Sequence, residues 1–563
     1  MTKTTIQLSD VERIKIESRY LKGTLNESLL NTLTGAIAED DTQLSKFHGL
    51  YQQTDRDTDR ERQRQKLEPD FSFLIRVRLP GGIATADQWL GIDKLSKSYA
   101  NQTIKLTTRQ AFQLHGVIKS NLKTTISSIN NHLMDTIAAC GDVNRNVMCN
   151  PHPHRSNIHD ELQNTAQAIS DHLTPRTTAY HEIWLDKEMV ADSKAEVEPI
   201  YGKTYLPRKF KIGIANPPYN DSDIFSQDLG YIAIEKSGKL EGFNIVVGGG
   251  MGSTFGREDT YPRLGDVIGF VTPDKAVDVA EHVVRIQKQH GNRSDRKRAR
   301  FKYTIDNNKD GWIKAELEQA LGFELETPRA FKFHKTGDTF GWQKVVNNKW
   351  FLTLFIEGGR VSDKEKNIQS TLRNIAELNI CDFRLTGNQN LILGNINEDN
   401  KSLIEKSIRD AGFFPEQLSG IRMNSIACVA LNTCSLAFSE AERYLPLLND
   451  KIEAILQRLN LIDQEINIRM TGCPNGCGRP LLGEIGLIGK APGQYNLYLG
   501  ASHSGDRLSN LFKENLNESQ ILTELDIVLS DYASNRDKQE TFGEFVIRKN
   551  WVKPIYHGKD FRH

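Results

Sequence analysis

The chain has no surplus of charge of either sign: 72 Lys and Arg balance 72 Asp and Glu. No global field draws it to nucleic acid or an anionic membrane, so any anion site must be local. It also lacks any stretch near the roughly 18 consecutive apolar residues of a membrane span. The first ten residues have neither the apolar segment nor the small-residue cleavage site of a secretory leader, so the expectation is a cytoplasmic chain. Cysteine is scarce and odd in number: Cys140, Cys149, Cys381, Cys428, Cys434, Cys473 and Cys477, seven in 563 residues. That count argues against a disulfide framework and for reduced thiols. There is no P-loop, and Val247-Gly-Gly-Gly-Met-Gly252 lacks the G-x-G-x-x-G spacing of a dinucleotide turn, so it reads as close backbone packing. The chain is not expected to bind NADPH or flavin itself.

What is present is a folded chain long enough for about three or four compact units, and it contains itself twice. Gly81-Gly82 recurs as Gly358-Gly359, and the helix-start pattern Thr85-x-x-Gln88 as Ser362-x-x-Glu365. Such a pattern satisfies two helix-end N–H groups reciprocally. Trp89, Ile92, Leu95 and Tyr99 then follow a helical period, as do Ile126, Ile129, Leu133 and Ile137. The polar turn Leu106–Gln110 recurs as Leu385–Gln389, Asn144 and Cys149 as Asn424 and Cys428, and Gly242–Gly248 resembles Gln494–Gly500. The order in each copy is β-α-β-β-α. Duplication predicts an α+β protein with approximate two-fold symmetry and a site between the halves. The halves differ: the first carries Arg76, Arg78, Arg109 and Arg145, where the second has Leu354 or Phe355, Asn388 and Ser425 but supplies thiols. The charge run Asp55–Lys66 before the repeat reads as a solvated face.

Those thiols are Cys428-x5-Cys434 and Cys473-Pro-Asn-Gly-Cys477. Two pairs of soft ligands on tight turns fit Zn²⁺ or an iron–sulfur cluster. Five residues between Cys428 and Cys434 are too many for a zinc knuckle and suit the wider span of a cubane. The glycines of Gly472–Gly478 let backbone N–H groups approach cluster sulfides. Cys140, Cys149 and Cys381 have no paired neighbour and read as buried thiols; Cys149-Asn-Pro-His152-Pro-His154 is a weaker metal-clip candidate.

At this point the cysteine set, with Phe47–Gln53, Arg78–Gly82, Asn144–Val147, Thr204–Lys211 and Gly489–Gly493, resembles the siroheme-containing sulfite and nitrite reductases, over nearly the whole chain. The likeness is greatest to the family's assimilatory, NADPH-dependent branch. It implies a [4Fe–4S] cluster on Cys428, Cys434, Cys473 and Cys477, with Cys477 also ligating siroheme iron. It implies sulfite held by Arg76, Arg145, Lys209 and Lys211, with Arg109, Lys105, Gln113 and Asn475 against the macrocycle. By that resemblance sulfite is reduced to sulfide for cysteine biosynthesis. Electrons would come from NADPH through a separate flavoprotein alpha subunit carrying FAD and FMN, in a hetero-oligomer with no nucleic-acid or membrane partner. The implied fold is α+β, with three domains around the cofactors. Residues 1–70 would form an N-terminal extension and 71–139 with 340–415 a paired ferredoxin-like domain. Residues 140–339 would form the siroheme and substrate domain, and 416–563 the iron–sulfur and siroheme domain.

The period-two rule places Lys209 and Lys211 on one face of an extended Arg208–Lys211. Lys105 stands where relatives often have arginine, reducing a bidentate contact to a point charge. Asn432 and Ser435 replace common prolines, implying a looser cysteine loop. The basic run Asn292–Lys302 is open to three readings: a solvated helix face, a contact for cofactor carboxylates, or a nucleic-acid patch. Two other functions share parts of this pattern: a ferredoxin-dependent sulfite or nitrite reductase, and a non-catalytic iron–sulfur or RNA-binding protein.

Overall fold

The computed structural model describes residues 8–152, 157–186, 198–345, 347–416 and 418–562. Both βαββα modules are there. The first runs through strand Phe71–Val77, helix Ala86–Tyr99, strands Ile104–Leu106 and Phe112–Val117, and helix Leu122–Asn131. The second runs through Trp350–Leu354, Ile368–Glu377, Asp382–Leu385, Leu391–Ile396 and Glu398–Asp410.

Helix Ala86–Tyr99 starts where its capping box directs. Thr85 Oγ1 accepts from the Gln88 N–H at 3.2 Å and Gln88 Oε1 accepts from the Thr85 N–H at 3.0 Å. Trp89, Ile92 and Leu95 are buried. The corresponding helix does not begin at Ser362. The stretch Ser362–Asn367 has no apolar side chain to bury, and the helix starts at Ile368, with Asp363 accepting from the Ser370 N–H at 2.9 Å. Helix Leu122–Asn131 also ends before its predicted last turn: Leu133 adopts φ +56° and is exposed, so only Ile126 and Ile129 share the buried face.

Periodicity gave no hint of an exchange between modules. Each glycine turn feeds a two-residue strand into the other module's sheet: Ile83–Ala84 pairs with Asp382–Leu385, and Arg360–Val361 with Ile104–Leu106. Gly82 (φ +78°) and Gly359 (φ +68°) permit it, because a Cβ there would lie 2.7 Å from Leu385 O and 2.5 Å from Leu106 O. Two five-stranded sheets are thereby interlocked, with Leu50–Thr54 and Gly341–Lys344 as edges.

Two further sheets repeat each other. One holds Ile212–Ala215, Leu229–Lys236, Lys239–Val247 and Asp266–Val271; the other holds Ser425–Ala427, Ile468–Thr471, Ile485–Ala491, Gln494–Leu499 and Asn510–Leu516. Leu229 faces Val247 as Ile485 faces Leu499, so the resemblance of Gly242–Gly248 to Gln494–Gly500 is structural. The C-terminal sheet has its own hydrophobic core, separate from the one beneath both modules.

Where the halves meet, Asp223 and Arg479 take equivalent places, each left-handed (φ +46° and +53°) before a short helical turn. Asp223 accepts from Arg479 Nε and, at 2.6 Å, from Arg469 Nη1. Arg479 also donates to Thr108 O at 2.9 Å and Gly387 O at 2.8 Å, residues that match each other in the two polar turns. The pair is buried where these equivalent segments of the two halves touch.

Candidate active site

Adjacent parallel strands deliver the two cysteine pairs. Cys428 follows Ser425–Ala427 and Cys473 follows Ile468–Thr471. The Gly472 N–H reaches Cys428 Sγ at 3.4 Å, and Asn475 Nδ2 reaches Cys473 Sγ at 3.4 Å. Burial raises the Cys428, Cys434 and Cys473 thiols, Cys434 to about 11, and in each case the next contribution comes from Cys477. The four sulfurs therefore lie within electrostatic reach of one another. Among the described residues no three His, Cys, Asp or Glu side chains are grouped to hold a single ion. Four neighbouring thiols are a donor set that an iron–sulfur cluster takes, with one thiolate per iron.

The cysteine loop is not loose, contrary to the expectation from Asn432. Asn432 Nδ2 donates to Asp55 at 2.7 Å, and its carbonyl accepts from the Arg56 N–H at 3.2 Å. Arg56 Nη1 donates to Cys434 O at 3.0 Å and Ala437 O at 2.7 Å. Part of the presumed solvated run Asp55–Lys66 thus clamps the loop. Its composition alone, mixed in sign, carried no signal of this.

Facing the thiols is a group of cations. Phe210 is buried, its N–H bonded to Val143 O and its carbonyl to the Arg145 N–H, both at 2.9 Å. The alternation puts Lys209 and Lys211 on the opposite face. Burial, aided by Arg208, lowers Lys209 to about 7, while the Cys477 thiolate opposes the shift, so this ammonium faces that thiol. Lys211 is lowered by burial and then by Lys209, Arg109 and Arg300. Arg109 is lowered to about 9, chiefly by burial. It donates to Gln227 Oε1 at 2.8 Å and Ile212 O at 2.7 Å, but its Nε is buried without a hydrogen-bond partner. Arg145 donates to Gly141 O at 2.8 Å; Arg76 donates to Cys140 Sγ at 3.2 Å and, at 2.9 Å from Nε, to the Gln113 side-chain oxygen.

Among the described residues, none of Arg76, Arg109, Arg145, Lys209 and Lys211 has a carboxylate within 4.0 Å. Arg296 and Arg300, by contrast, pair with Asp142 at 2.7 Å and Asp228 at 2.9 Å. Crowded cations without counter-charge are costly unless an anion joins them. The donor set and the orphaned Arg109 Nε therefore fit a carboxylate-rich macrocycle and a small oxyanion. Arg208, Lys209, Ser253, Thr254, Lys297 and Asn475 line a cleft of about 60 Å³ here.

Lys105 stands apart from this group. It is 1% exposed and donates to Glu442 Oε2 at 2.7 Å and to Gly358 O. Its charge is spent inside the fold, with Arg360 on the other Glu442 oxygen at 2.7 Å, so the geometry does not offer it to a cofactor carboxylate. Sequence reasoning missed Tyr51 and Lys46. Strand Leu50–Thr54 sets the Tyr51 ring 5.9 Å from the Arg76 guanidinium, and Lys46 is lowered to about 8, mainly by burial. The stretch Phe47–Gln53 had carried only family resemblance.

Most of the basic run is spent inside the fold, with Lys297 left exposed: Arg293 pairs with Glu12, Arg296 and Arg300 pair as above, and Lys302 is buried against Gly250 O and Gly252 O. The glycine run packs as expected, a Cβ at Gly252 falling 2.8 Å from Asn475 O. Cys140, Cys149 and Cys381 are buried free thiols. His154 lies outside the described residues, and His152 is 3.4 Å from Asp338.

Residues 164–325 match the family described as nitrite and sulphite reductase 4Fe-4S domain. Residues 64–132 and 343–411, the two modules, match the nitrite/sulfite reductase ferredoxin-like half domain. The four clustered cysteines lie beyond the first of these spans. The chain is 57% identical to the sulfite reductase [NADPH] hemoprotein beta-component of Anoxybacillus flavithermus, over 98% of this chain and 97% of that protein. It is 54% identical to that of Staphylococcus haemolyticus over 100% of both, and 55% identical to that of Bacillus subtilis over 98% and 97%. In structure it is similar to Mycobacterium tuberculosis NirA, with a TM-score of 0.76, 21% identity and 96% of each chain covered.

Proposed function

The chain belongs to the nitrite and sulfite reductase family, and from that premise we propose that it is the hemoprotein component of an assimilatory NADPH-dependent sulfite reductase. It carries siroheme and a [4Fe–4S] cluster and reduces sulfite to sulfide. The observation that carries this reading is the meeting of four neighbouring thiols from one half with cations from the other that have no carboxylate of their own.

In this reading Cys428, Cys434, Cys473 and Cys477 hold the cluster. Cys477 is the exposed thiol of the four and would be the one to hold the siroheme iron as well. When bound, the two cofactors supply single electrons at one coupled centre. Arg76, Arg145, Lys209 and Lys211 bind the oxygens of sulfite by charge-assisted hydrogen bonds. Lys209, with a pKa near 7, is suited to passing a proton from Nζ to a departing oxygen at neutral pH. Arg109 takes a macrocycle carboxylate with its orphaned Nε, and Gln113 and Asn475 border the ring. The electron donor is a flavoprotein alpha subunit, in keeping with the beta-component names of the relatives, and the reduced thiols suit the cytoplasm. No helix among the described residues is long and apolar enough to cross a membrane.

The test is the visible spectrum of the purified chain with its iron and acid-labile sulfide content, together with sulfite turnover driven by reduced methyl viologen. Macrocycle absorbance, four cluster irons plus one and sulfide formation are expected. A colourless protein, or one that does not reduce sulfite, refutes the proposal.

A further inference from the structure

Phe255, Leu436 and Phe438 are exposed to 57%, 61% and 37%. A single exposed apolar side chain needs no explanation. These three, however, come from two distant segments and gather beside the proposed cluster ligands. The rings of Phe255 and Phe438 meet edge-on, 5.4 Å between centroids at 68°. Both are held in place from beneath by the cysteine loops. The Phe438 N–H donates to Gly472 O, next to Cys473, at 2.8 Å. Leu436 stands two residues after Cys434, and the Ala437 N–H donates to Cys434 O at 3.2 Å. The Phe255 turn is fastened to the other cysteine pair by the Ser253 N–H on Pro474 O at 2.9 Å. It is stiffened by Arg257, which pairs with Asp259 and Asp295 at 2.7 and 2.8 Å.

A rigid aromatic pair displayed to solvent over a redox centre has the composition of an interface hot spot, apolar at the middle with charge at the rim. The rim is basic. Arg56 is exposed on the cysteine-loop side and Lys297 on the Thr254 side. Neither has a carboxylate within 4.0 Å among the described residues. Electron transfer falls steeply with distance, so a protein seated here would place its own redox group as near the thiols as the fold allows.

We propose that Phe255, Leu436 and Phe438, rimmed by Arg56 and Lys297, form the docking surface for the electron-donating domain of the partner subunit, which presents an apolar patch bordered by carboxylates. This rests on the sulfite reductase reading and adds the place of electron entry. Each encounter moves one electron from the donor's reduced flavin to the cluster. Six such electrons, with seven protons, convert one sulfite to hydrosulfide and three waters.

The test uses the holoprotein, its flavoprotein subunit and reduced methyl viologen. In Phe255→Ser/Leu436→Ser, flavoprotein affinity by calorimetry and turnover at limiting flavoprotein should each fall by about 10-fold or more, while dye-driven turnover and the visible spectrum stay at the wild-type level. Lys297→Glu should weaken flavoprotein binding at low salt and lose that effect at high salt. Unchanged flavoprotein affinity in the double variant overturns the proposal. So does a parallel loss of dye-driven turnover, which would make the patch structural. Failure of the wild-type holoprotein to reduce sulfite with dye would instead overturn the reaction assigned above, and the calorimetry would still decide the surface.

Discussion

Replacing Asp223 by Asn probes the junction on which the site is built. Asp223 is 1% exposed and is the carboxylate for two buried guanidiniums, Arg469 at 2.6 Å and Arg479. The amide keeps the shape but leaves both cations without counter-charge, and its NH₂ group faces donors. Breaking a buried pair from one side costs about 3–5 kcal/mol, mostly the penalty of the stranded charge. The damage should be local, because Arg479 fastens the turns at Thr108 and Gly387, and Thr108 Oγ1 donates to Cys477 O at 3.2 Å. At about 1.4 kcal/mol per tenfold, amides of the two polar turns should exchange with deuterium roughly two to three and a half powers of ten faster. Strands of the C-terminal core far from the junction should be little changed. Mass spectrometry of peptides spanning 105–111 and 385–390 measures this directly. Exchange within threefold of wild type in both turns would show that the pair does not hold the junction. A double-mutant cycle with Arg479→Gln should show strong coupling, since removing both partners strands less charge than removing one.

Other changes test the site itself. Cys477→Ser should abolish the magnetic coupling between macrocycle and cluster, read by electron paramagnetic resonance, and full retained activity would refute a shared thiolate. Lys211→Ala should lower sulfite turnover by about 10²-fold with the cofactor spectrum intact; equal loss of dye oxidation would mean damaged cofactor binding instead. Arg56→Ala, freeing the carbonyls of Cys434 and Ala437, should speed loss of acid-labile sulfide in air, and an unchanged rate would deny the clamp. Burial pulls His503 down, but Glu484 at 3.1 Å and Glu465 at 3.6 Å outweigh it and hold the imidazole at about 9. A raised pKa contributes stability that is complete below about pH 6.5 and lost as pH rises through about 9, here about 3 kcal/mol. Melting temperature should therefore fall more between pH 6.5 and 9.5 in wild type than in His503→Gln; equal falls would refute the assignment.

Much of this was legible in the chain because it depends on local chemistry. The capping box at Thr85 and the alternation of Lys209, Phe210 and Lys211 are written in neighbouring residues, and the thiol spacing needs only two turns brought together. What escaped the sequence depends on contacts between distant segments. The exchanged strands Ile83–Ala84 and Arg360–Val361 are two residues each, too short for any period, and only the swap makes them strands. Lys105 resembles a cofactor contact until Glu442, far along the chain, is seen to neutralise it. Asn432 in place of a proline predicts a looser loop, because its partner Asp55 lies in a run whose composition says only that it is polar.

The asymmetry between the halves has a physical origin in how each fills the same turn. In the second half Asp338 sits within it, accepting from Thr386 at 2.7 Å, Asn388 at 3.0 Å and Asn390 at 2.8 Å. The matching residues of the first half are Thr107, Arg109 and Ala111, where Thr107 Oγ1 accepts from the Arg109 and Ala111 N–H groups and Arg109 donates to Gln227 and Ile212 O. Strand register makes the same point, since Arg76 opposite Gln113 corresponds to Thr353 opposite Ile392, rather than to Leu354 or Phe355. One copy thus supplies its own anion and closes, while the other substitutes cations and leaves Arg109 Nε unanswered. Arg479 donates to one carbonyl of each turn, so the open turn and the closed one share a tether. Duplication in this way leaves an anion-seeking face on the first half, and that face is turned toward the thiols.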